Sequence, residues 1–87
     1  LIRPMLITLR FFASIREAVG EGSQSLETTA HDVAGLRDAL IARGAPYADA
    51  LARGKSVRIA QDQTMCEEST PLRAGAEIAF FPPVTGG

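Results

Sequence analysis

Apolar and polar positions along the chain predict a strand near each end and one amphipathic helix between them. The first strand is predicted over Met5–Phe12, where β-branched and aromatic residues follow Pro4. Its near-continuous apolarity indicates a central position in a sheet. The last strand is predicted over Ala76–Phe81, and Pro82-Pro83 ends it because two consecutive prolines remove two ladder donors.

The main helix is predicted over Asp32–Arg43. Asp32 is a suitable N-cap residue, and Gly44 is placed to terminate the helix. The helical spacing of apolar residues predicts one stripe that faces the core, made of Val33, Leu36, Ala39 and Leu40. Arg37 and Arg43 are expected on the other faces.

Shorter elements complete the pattern. In chain order we predict a helix over Ala13–Val19 with Ser14 as its N-cap, a strand over Gln24–Thr28, one or two helical turns in Tyr47–Arg53, and a hairpin of Val57–Gln61 and Thr64–Cys66 around Asp62-Gln63. One main helix must therefore pack on one face of a mixed sheet of about five strands. This α+β pattern fits the β-grasp fold, whose first and last strands lie parallel in the middle of the sheet. We expect a β-grasp domain over residues 5–81 and an extended tail over 82–87, with residues 1–4 as a leader or cloning remnant.

The composition excludes several classes of protein. Its 87 residues suit one small domain, and 46% hydrophobic with 22% charged residues is close to the globular average. A net charge of −1 argues against a nucleic-acid module, which usually carries a basic surplus. The single Cys rules out an internal disulfide, and no apolar run reaches the roughly 18 residues of a membrane span. No signal-peptide pattern is present, so a cytoplasmic location is expected.

The four Phe residues form two adjacent pairs, near opposite ends of the chain. Successive side chains of a strand point to opposite faces, so a pair cannot place both rings in one core. We expect Phe11 and Phe80 under the helix, and Phe12 and Phe81 close together on the uncovered face, with Met65 as a possible third member. These rings either complete the core at the strand ends or form an exposed patch that binds another protein. The patch is favoured because of the tail that follows it.

The tail Pro82-Pro83-Val84-Thr85-Gly86-Gly87 carries the strongest functional signal. Two prolines hold the backbone extended, and six residues reach on the order of 20 Å. Two glycines without side chains can pass through a narrow channel and present the terminal carboxylate to another protein. The alternative is an ordinary frayed end. Gly-Gly that follows rigid Pro-Pro at the end of a core strand favours the first interpretation.

The segment Phe80–Gly87, FFPPVTGG, resembles the C-terminus of the small subunits of molybdopterin synthases, which are sulfur carriers of the ubiquitin-like superfamily. Leu9–Gly20, LRFFASIREAVG, also resembles the N-terminal pattern of that family, and the likeness extends over Met5 to Gly87. Departures are the leader and Gln61-Asp62-Gln63, where the family pattern has a more apolar approach to an Asn-Gln turn.

The resemblance implies a sulfur-carrier function in molybdenum cofactor biosynthesis. A ubiquitin-activating-type adenylyltransferase would use ATP to adenylate Gly87, and a sulfurtransferase system would then convert it to a thiocarboxylate. The thiocarboxylate would enter the large catalytic subunit of a heterotetrameric synthase and donate sulfur to a cyclic pterin precursor. This chain would bind no cofactor and have no catalytic residues beyond the Gly86-Gly87 terminus. The residues expected to contact partners are Phe12, Arg16, Met65, Phe81, Pro82, Pro83, Val84 and Thr85.

Other functions remain as alternatives. The chain could carry sulfur for thiamine or amino-acid biosynthesis, or it could modify other proteins through isopeptide bonds at Gly87. Arg16 with Glu17 is equally an ordinary exposed helix pair, and Glu67-Glu68 is expected to be a solvated loop. His31 and Cys66 lie in no cluster with metal-ligand spacing, so no metal site is expected.

Overall fold

The computed structural model describes residues 3–83, so the predicted site residues Val84, Thr85, Gly86 and Gly87 lie outside the described residues. The elements are β1 (Met5–Phe11), α1 (Ala13–Val19), β2 (Ser23–Thr28), α2 (Val33–Ile41), α3 (Tyr47–Ala50), β3 (Arg58–Gln61), β4 (Thr64–Cys66) and β5 (Glu77–Phe81). Within residues 3–83, the strands form one five-stranded sheet in the order β2-β1-β5-β3-β4. β1 and β5 pair in parallel at its centre, and the other pairs are antiparallel. The predicted α+β arrangement is confirmed.

One face of the sheet forms the hydrophobic core with the helices. Phe11 and Phe80, which are register partners on the two central strands, stack with ring centroids 5.8 Å apart. Both are buried, as are the predicted helix residues Val33, Leu36 and Leu40. All five belong to one cluster of buried side chains. The assignment of Phe11 and Phe80 to the core is therefore confirmed.

The transition from β1 to α1 differs from the sequence prediction. The strand ends at Phe11, and Phe12 occupies the N-cap position of α1, so the prediction of Ser14 as N-cap is wrong. The Phe12 N–H still donates to the Phe80 carbonyl at 3.1 Å, while its own carbonyl accepts from Ile15 and Arg16. No side chain caps this helix start, and Phe12 keeps an extended conformation that continues the sheet.

The start of α2 is as predicted. The Asp32 side chain accepts a hydrogen bond of 2.8 Å from the Gly35 N–H, which satisfies one of the free donors of the first turn. A Cβ on Gly35 would lie 3.1 Å from the same carboxylate oxygen, so glycine allows this close cap. The helix ends at Ile41, two residues before the predicted end, and Gly44 adopts a positive φ of 84°.

The β3-β4 hairpin explains the unusual Gln61-Asp62-Gln63 sequence. Gln61 faces the core with 5% exposure, and both ends of its amide are bonded, to the Pro71 carbonyl at 3.1 Å and the Arg73 N–H at 3.0 Å. Asp62 and Gln63 turn the chain with positive φ angles of 49° and 69°. The Asp62 carboxylate also accepts from the Glu77 N–H and from Arg73. The polar residues of this turn therefore attach the 71–77 segment to the hairpin.

The predicted faces of α2 are wrong at two positions, Arg37 and Ala39. Its side chain is buried, with 3% exposure, whereas Ala39 is exposed. The guanidinium donates to the carbonyls of Leu51, Ala52 and Lys55 at 2.7–3.0 Å and to Glu68 at 3.1 Å. A buried arginine is tolerated because these acceptors replace water. Arg37 thus holds the segment between α3 and β3 in place. The spacing of apolar residues along the sequence could not predict this contact.

We expect Arg37→Ala to lower the free energy of unfolding by about 2–4 kcal/mol, because it leaves buried carbonyls without donors. Arg43→Ala is the matched control. Arg43 is exposed and lies over the Tyr47 ring at 4.9 Å, so its loss should cost less than about 1 kcal/mol. Urea denaturation measures both. Equal costs for the two variants would contradict a special role for the buried guanidinium.

Candidate functional site

The uncovered face of the sheet exposes the second ring of each Phe pair. Phe12 is 40% exposed and Phe81 is half-buried, and their rings meet edge to face with centroids 6.2 Å apart and planes at 82°. The predicted proximity of these two residues is confirmed. Such pairs prefer this T-shaped geometry, so the two rings support each other without a covering element. We call Phe12 and Phe81 the ring pair.

The strand register places Met65 on the same face as the ring pair. Arg10, Ala79, Ala60 and Met65 are successive register partners across β1, β5, β3 and β4. Met65 is 50% exposed. β3 separates it from Phe81, at about 5 Å per strand, so Met65 extends the patch rather than joining the ring pair. The alanines between them keep the centre of the face shallow.

Leu6 is a further exposed apolar residue that the sequence reasoning missed. It is 57% exposed and lies on the uncovered face at the opposite end of β1 from Phe12. Strand parity could have found it, because Leu6 precedes the core residue Ile7. Leu6, Phe12, Phe81 and Met65 surround the centre of a face that no element within residues 3–83 covers. We call this surface the docking face.

The tail leaves the sheet beside the ring pair. Pro82 and Pro83 are half-buried, and Pro82 lines a groove of about 130 Å³ between α1 and the segment before β3. The other lining residues are Ser14, Ile15, Ala18, Ala50, Lys55, Ser56 and Val57. Because Arg37 bonds the Lys55 carbonyl, the buried guanidinium fixes one wall of this groove. The first tail residue is therefore held by the folded domain.

Arg16 lies on α1, one helical turn after Phe12. Its side chain is exposed and packs against Gly22, where an added Cβ would lie 3.1 Å from the Arg16 Nε. Its backbone N–H donates to the Phe12 carbonyl at 3.2 Å. The exposed guanidinium is thus available at the same end of the sheet as the ring pair, and its role as a partner contact stays a prediction.

Cys66 lies at the edge of the sheet, away from the tail. It lines a groove of about 610 Å³ along β4 and the 67–73 loop, and its S–H donates to the Ile59 carbonyl at 3.7 Å. Burial raises the pKa of the Cys66 thiol above its usual value. The neutral thiol is therefore favoured, which suits a packed side chain better than a nucleophile.

The sequence predicted that Glu67 and Glu68, in the loop after β4, are both solvated, and the structure contradicts this for Glu68. Glu68 accepts hydrogen bonds from the buried Arg37 and from Arg53, while Glu67 is exposed. The bonds with Glu68 and then with Asp38 raise the pKa of the Arg53 guanidinium.

Within residues 3–83, no three His, Cys, Asp or Glu side chains gather as metal ligands. None of the helices in this range is long and apolar enough to cross a lipid bilayer.

The sequence profile of the ThiS family matches residues 9–87. The chain belongs to the ThiS family. The molybdopterin synthase sulfur carrier subunit of Escherichia coli is 40% identical over 82 residues, which are 94% of this chain and 100% of that relative. The same subunit of Haemophilus influenzae is 38% identical with the same coverage. The resemblance expected from the tail and from the N-terminal motif is thereby confirmed.

Solved structures similar to this ThiS-family chain share its β-grasp fold. One is the complex of subunits 1 and 2 of the molybdopterin-converting factor of Helicobacter pylori. The matched chain of that complex is 27% identical, with a TM-score of 0.64, and the match covers 95% of this chain and 100% of the matched chain. A putative subunit 1 of the molybdopterin-converting factor of Pyrococcus furiosus has a TM-score of 0.75 at 19% identity, covering 92% and 99% of the two chains. At that identity the likeness shows the fold alone.

Cys66 gives a test of the electrostatics in this ThiS-family chain. Because burial raises the pKa of its thiol, the pH at which alkylation by iodoacetamide is half-maximal should be higher in the folded chain than in urea. The unfolded thiol loses its proton first, so folding stability should fall as the pH rises above about 8.5. Cys66→Ser controls for labelling elsewhere. An equal or lower midpoint in the folded chain would contradict the burial effect.

Proposed function

We propose that this chain is the sulfur-carrier subunit of a molybdopterin synthase, acting in molybdenum cofactor biosynthesis. The observation that carries the proposal is the exposed ring pair at the point where Pro82-Pro83 leads toward Gly87. Identities of 38–40% to two sulfur carrier subunits over their full lengths support it.

Gly87 is the chemical site in this proposal. A free carboxylate is a poor electrophile, so an adenylyltransferase first uses ATP to form an acyl-adenylate at Gly87. A sulfurtransferase system supplies the sulfur that replaces the adenylate and leaves a thiocarboxylate. The thiocarboxylate then donates its sulfur to the cyclic pterin precursor in the large subunit. Two such transfers complete the dithiolene that holds molybdenum.

The folded domain supplies docking and reach rather than catalysis. Half-buried Pro82 fixes where the tail starts, and two prolines restrict its direction. An extended chain of six residues reaches on the order of 20 Å, which would be enough to carry Gly87 into a pocket of a partner docked at the ring pair. The catalytic acids, bases and the pterin site belong to the large subunit in this scheme, and ATP binds the adenylyltransferase.

The mass of the chain tests the sulfur chemistry directly. After incubation with the activating enzyme, ATP and a sulfur source, intact mass spectrometry should show replacement of one oxygen by sulfur, and fragmentation should locate it at Gly87. Cys66→Ser should retain the gain, and deletion of Gly86 and Gly87 should abolish it. Absence of the exchange in a complete system would overturn the sulfur-carrier proposal.

The same preparation distinguishes the alternatives. A protein modifier would leave branched Gly-Gly remnants on partner lysines. A carrier for thiamine or amino-acid biosynthesis would form the thiocarboxylate but fail to pair with a molybdopterin synthase large subunit. A structural module would keep its function after loss of both glycines.

Substitutions in the ring pair test its role in docking. Phe81→Ala and Phe12→Ala should weaken binding to the large subunit by about 2 kcal/mol or more, as expected for aromatic anchors in an interface. Each should cost less stability than Phe80→Ala, for which about 3–5 kcal/mol is expected because a buried ring is removed. Calorimetric titration and urea denaturation measure the two quantities. A collapse of stability with unchanged affinity would instead assign the ring pair to the core.

A further inference from the structure

Arg10 is the one charged side chain in the register row that crosses the centre of the docking face. It projects from β1 between the ring pair and the Leu6 end of the strand, and its register partner on β5 is Ala79. The guanidinium carbon lies 5.5 Å from the centre of the Phe12 ring. A cation at this distance is attracted by the ring face. The Arg10 guanidinium therefore lies against the Phe12 ring, although the side chain remains partly exposed.

The hydrogen-bonding capacity of Arg10 is largely unused within residues 3–83. Its Nη1 donates to Glu77 over a long 3.3 Å, and both side chains of this ion pair are more than a third exposed. Its Nε is the buried side-chain nitrogen that has no hydrogen-bond partner in this part of the chain. An arginine carries five N–H donors in a rigid fork. The edge of the fork formed by Nε and Nη2 therefore has no acceptor among the described contacts.

This arrangement has a consequence for any protein that covers the docking face. A partner seated on the ring pair would remove water from the adjacent guanidinium, and a desolvated charge is costly unless it is paired. The long contact with Glu77 satisfies one donor only. The buried Nε is out of reach of a partner, but the side chain is 41% exposed, and an acidic side chain on the partner could accept hydrogen bonds from the terminal Nη nitrogens of the fork.

We propose that Arg10 is a recognition residue that binds a carboxylate of the large synthase subunit, set among apolar residues that contact the ring pair. This inference rests on the proposed function, because it takes the large subunit as the occupant of the docking face. Charge complementarity at the centre of an apolar patch then selects the partner and fixes its register on the sheet. Arg58, which neighbours Phe81 on β3 and is exposed, lies farther toward the rim. An exposed rim charge is expected to affect the association rate more than the affinity.

The test measures the affinity of the full chain for the purified large subunit at low and high salt. Arg10→Leu should weaken binding at least ~10-fold and reduce its salt dependence, because the desolvated ion pair is lost. Arg10→Lys should fall between the wild type and Arg10→Leu, since an ammonium keeps the charge without the planar fork. Arg43→Leu is the matched control, because it removes the same charge from another aromatic contact and should change affinity less than ~2-fold.

Urea denaturation of each variant checks that the domain remains folded, and leucine suits a strand position. Affinity of Arg10→Leu within twofold of the wild type, or tighter, would overturn the inference. In that case a normal sulfur exchange at Gly87 and normal wild-type binding would leave the proposed function intact. Failure of the wild-type chain to bind the large subunit at all would instead overturn both.

Discussion

The parallel pairing of β1 with β5 is the interaction on which the rest of the molecule depends. It joins the two ends of the described chain and places Phe11 beside Phe80 in the core. Side-chain alternation then requires the next residues, Phe12 and Phe81, to meet on the other face. One pairing therefore produces the centre of the core, the ring pair of the docking face and the departure point of the tail. This arrangement suits a carrier because its docking face is rigidly linked to its most buried residues.

Polar side chains inside and at the edge of the domain position the connecting segments that lie outside the strands. Arg37 bonds three carbonyls of the segment before β3, and that segment forms a wall of the groove beside Pro82. Gln61 and Asp62 attach the 71–77 segment to the hairpin, next to the start of β5. The contacts of Arg37 and Gln61 are buried or partly buried, where an unmet hydrogen bond is expensive, whereas the Asp62 contact with Glu77 is exposed. They hold the connections that flank the central strand and so support the direction in which the tail begins.

The centre of the docking face is apolar apart from Arg10, whose hydrogen-bonding capacity is only partly used, and this combination agrees with a protein that works by binding to others. Apolar rings supply binding energy with little orientation, whereas a guanidinium fork is strict about the geometry of its acceptor. In the proposed function the chemistry occurs at Gly87 and within partner proteins. Recognition and reach would then be the contributions of the folded domain.

Much of this protein followed from its sequence. Runs of apolar residues predicted the strands, residue type predicted the Asp32 cap, and side-chain alternation predicted the division of each Phe pair between two faces. These features depend on local periodicity and backbone geometry, and the order of the elements fitted the β-grasp fold. The tail motif that suggests the carrier function was likewise readable only as sequence, since Val84–Gly87 lie outside the described residues. Tertiary structure alone decided the burial of Arg37, the exposure of Ala39 and the unsatisfied edge of Arg10. Each of these depends on which distant carbonyls or carboxylates come within hydrogen-bond distance, and no periodicity along the chain encodes that distance.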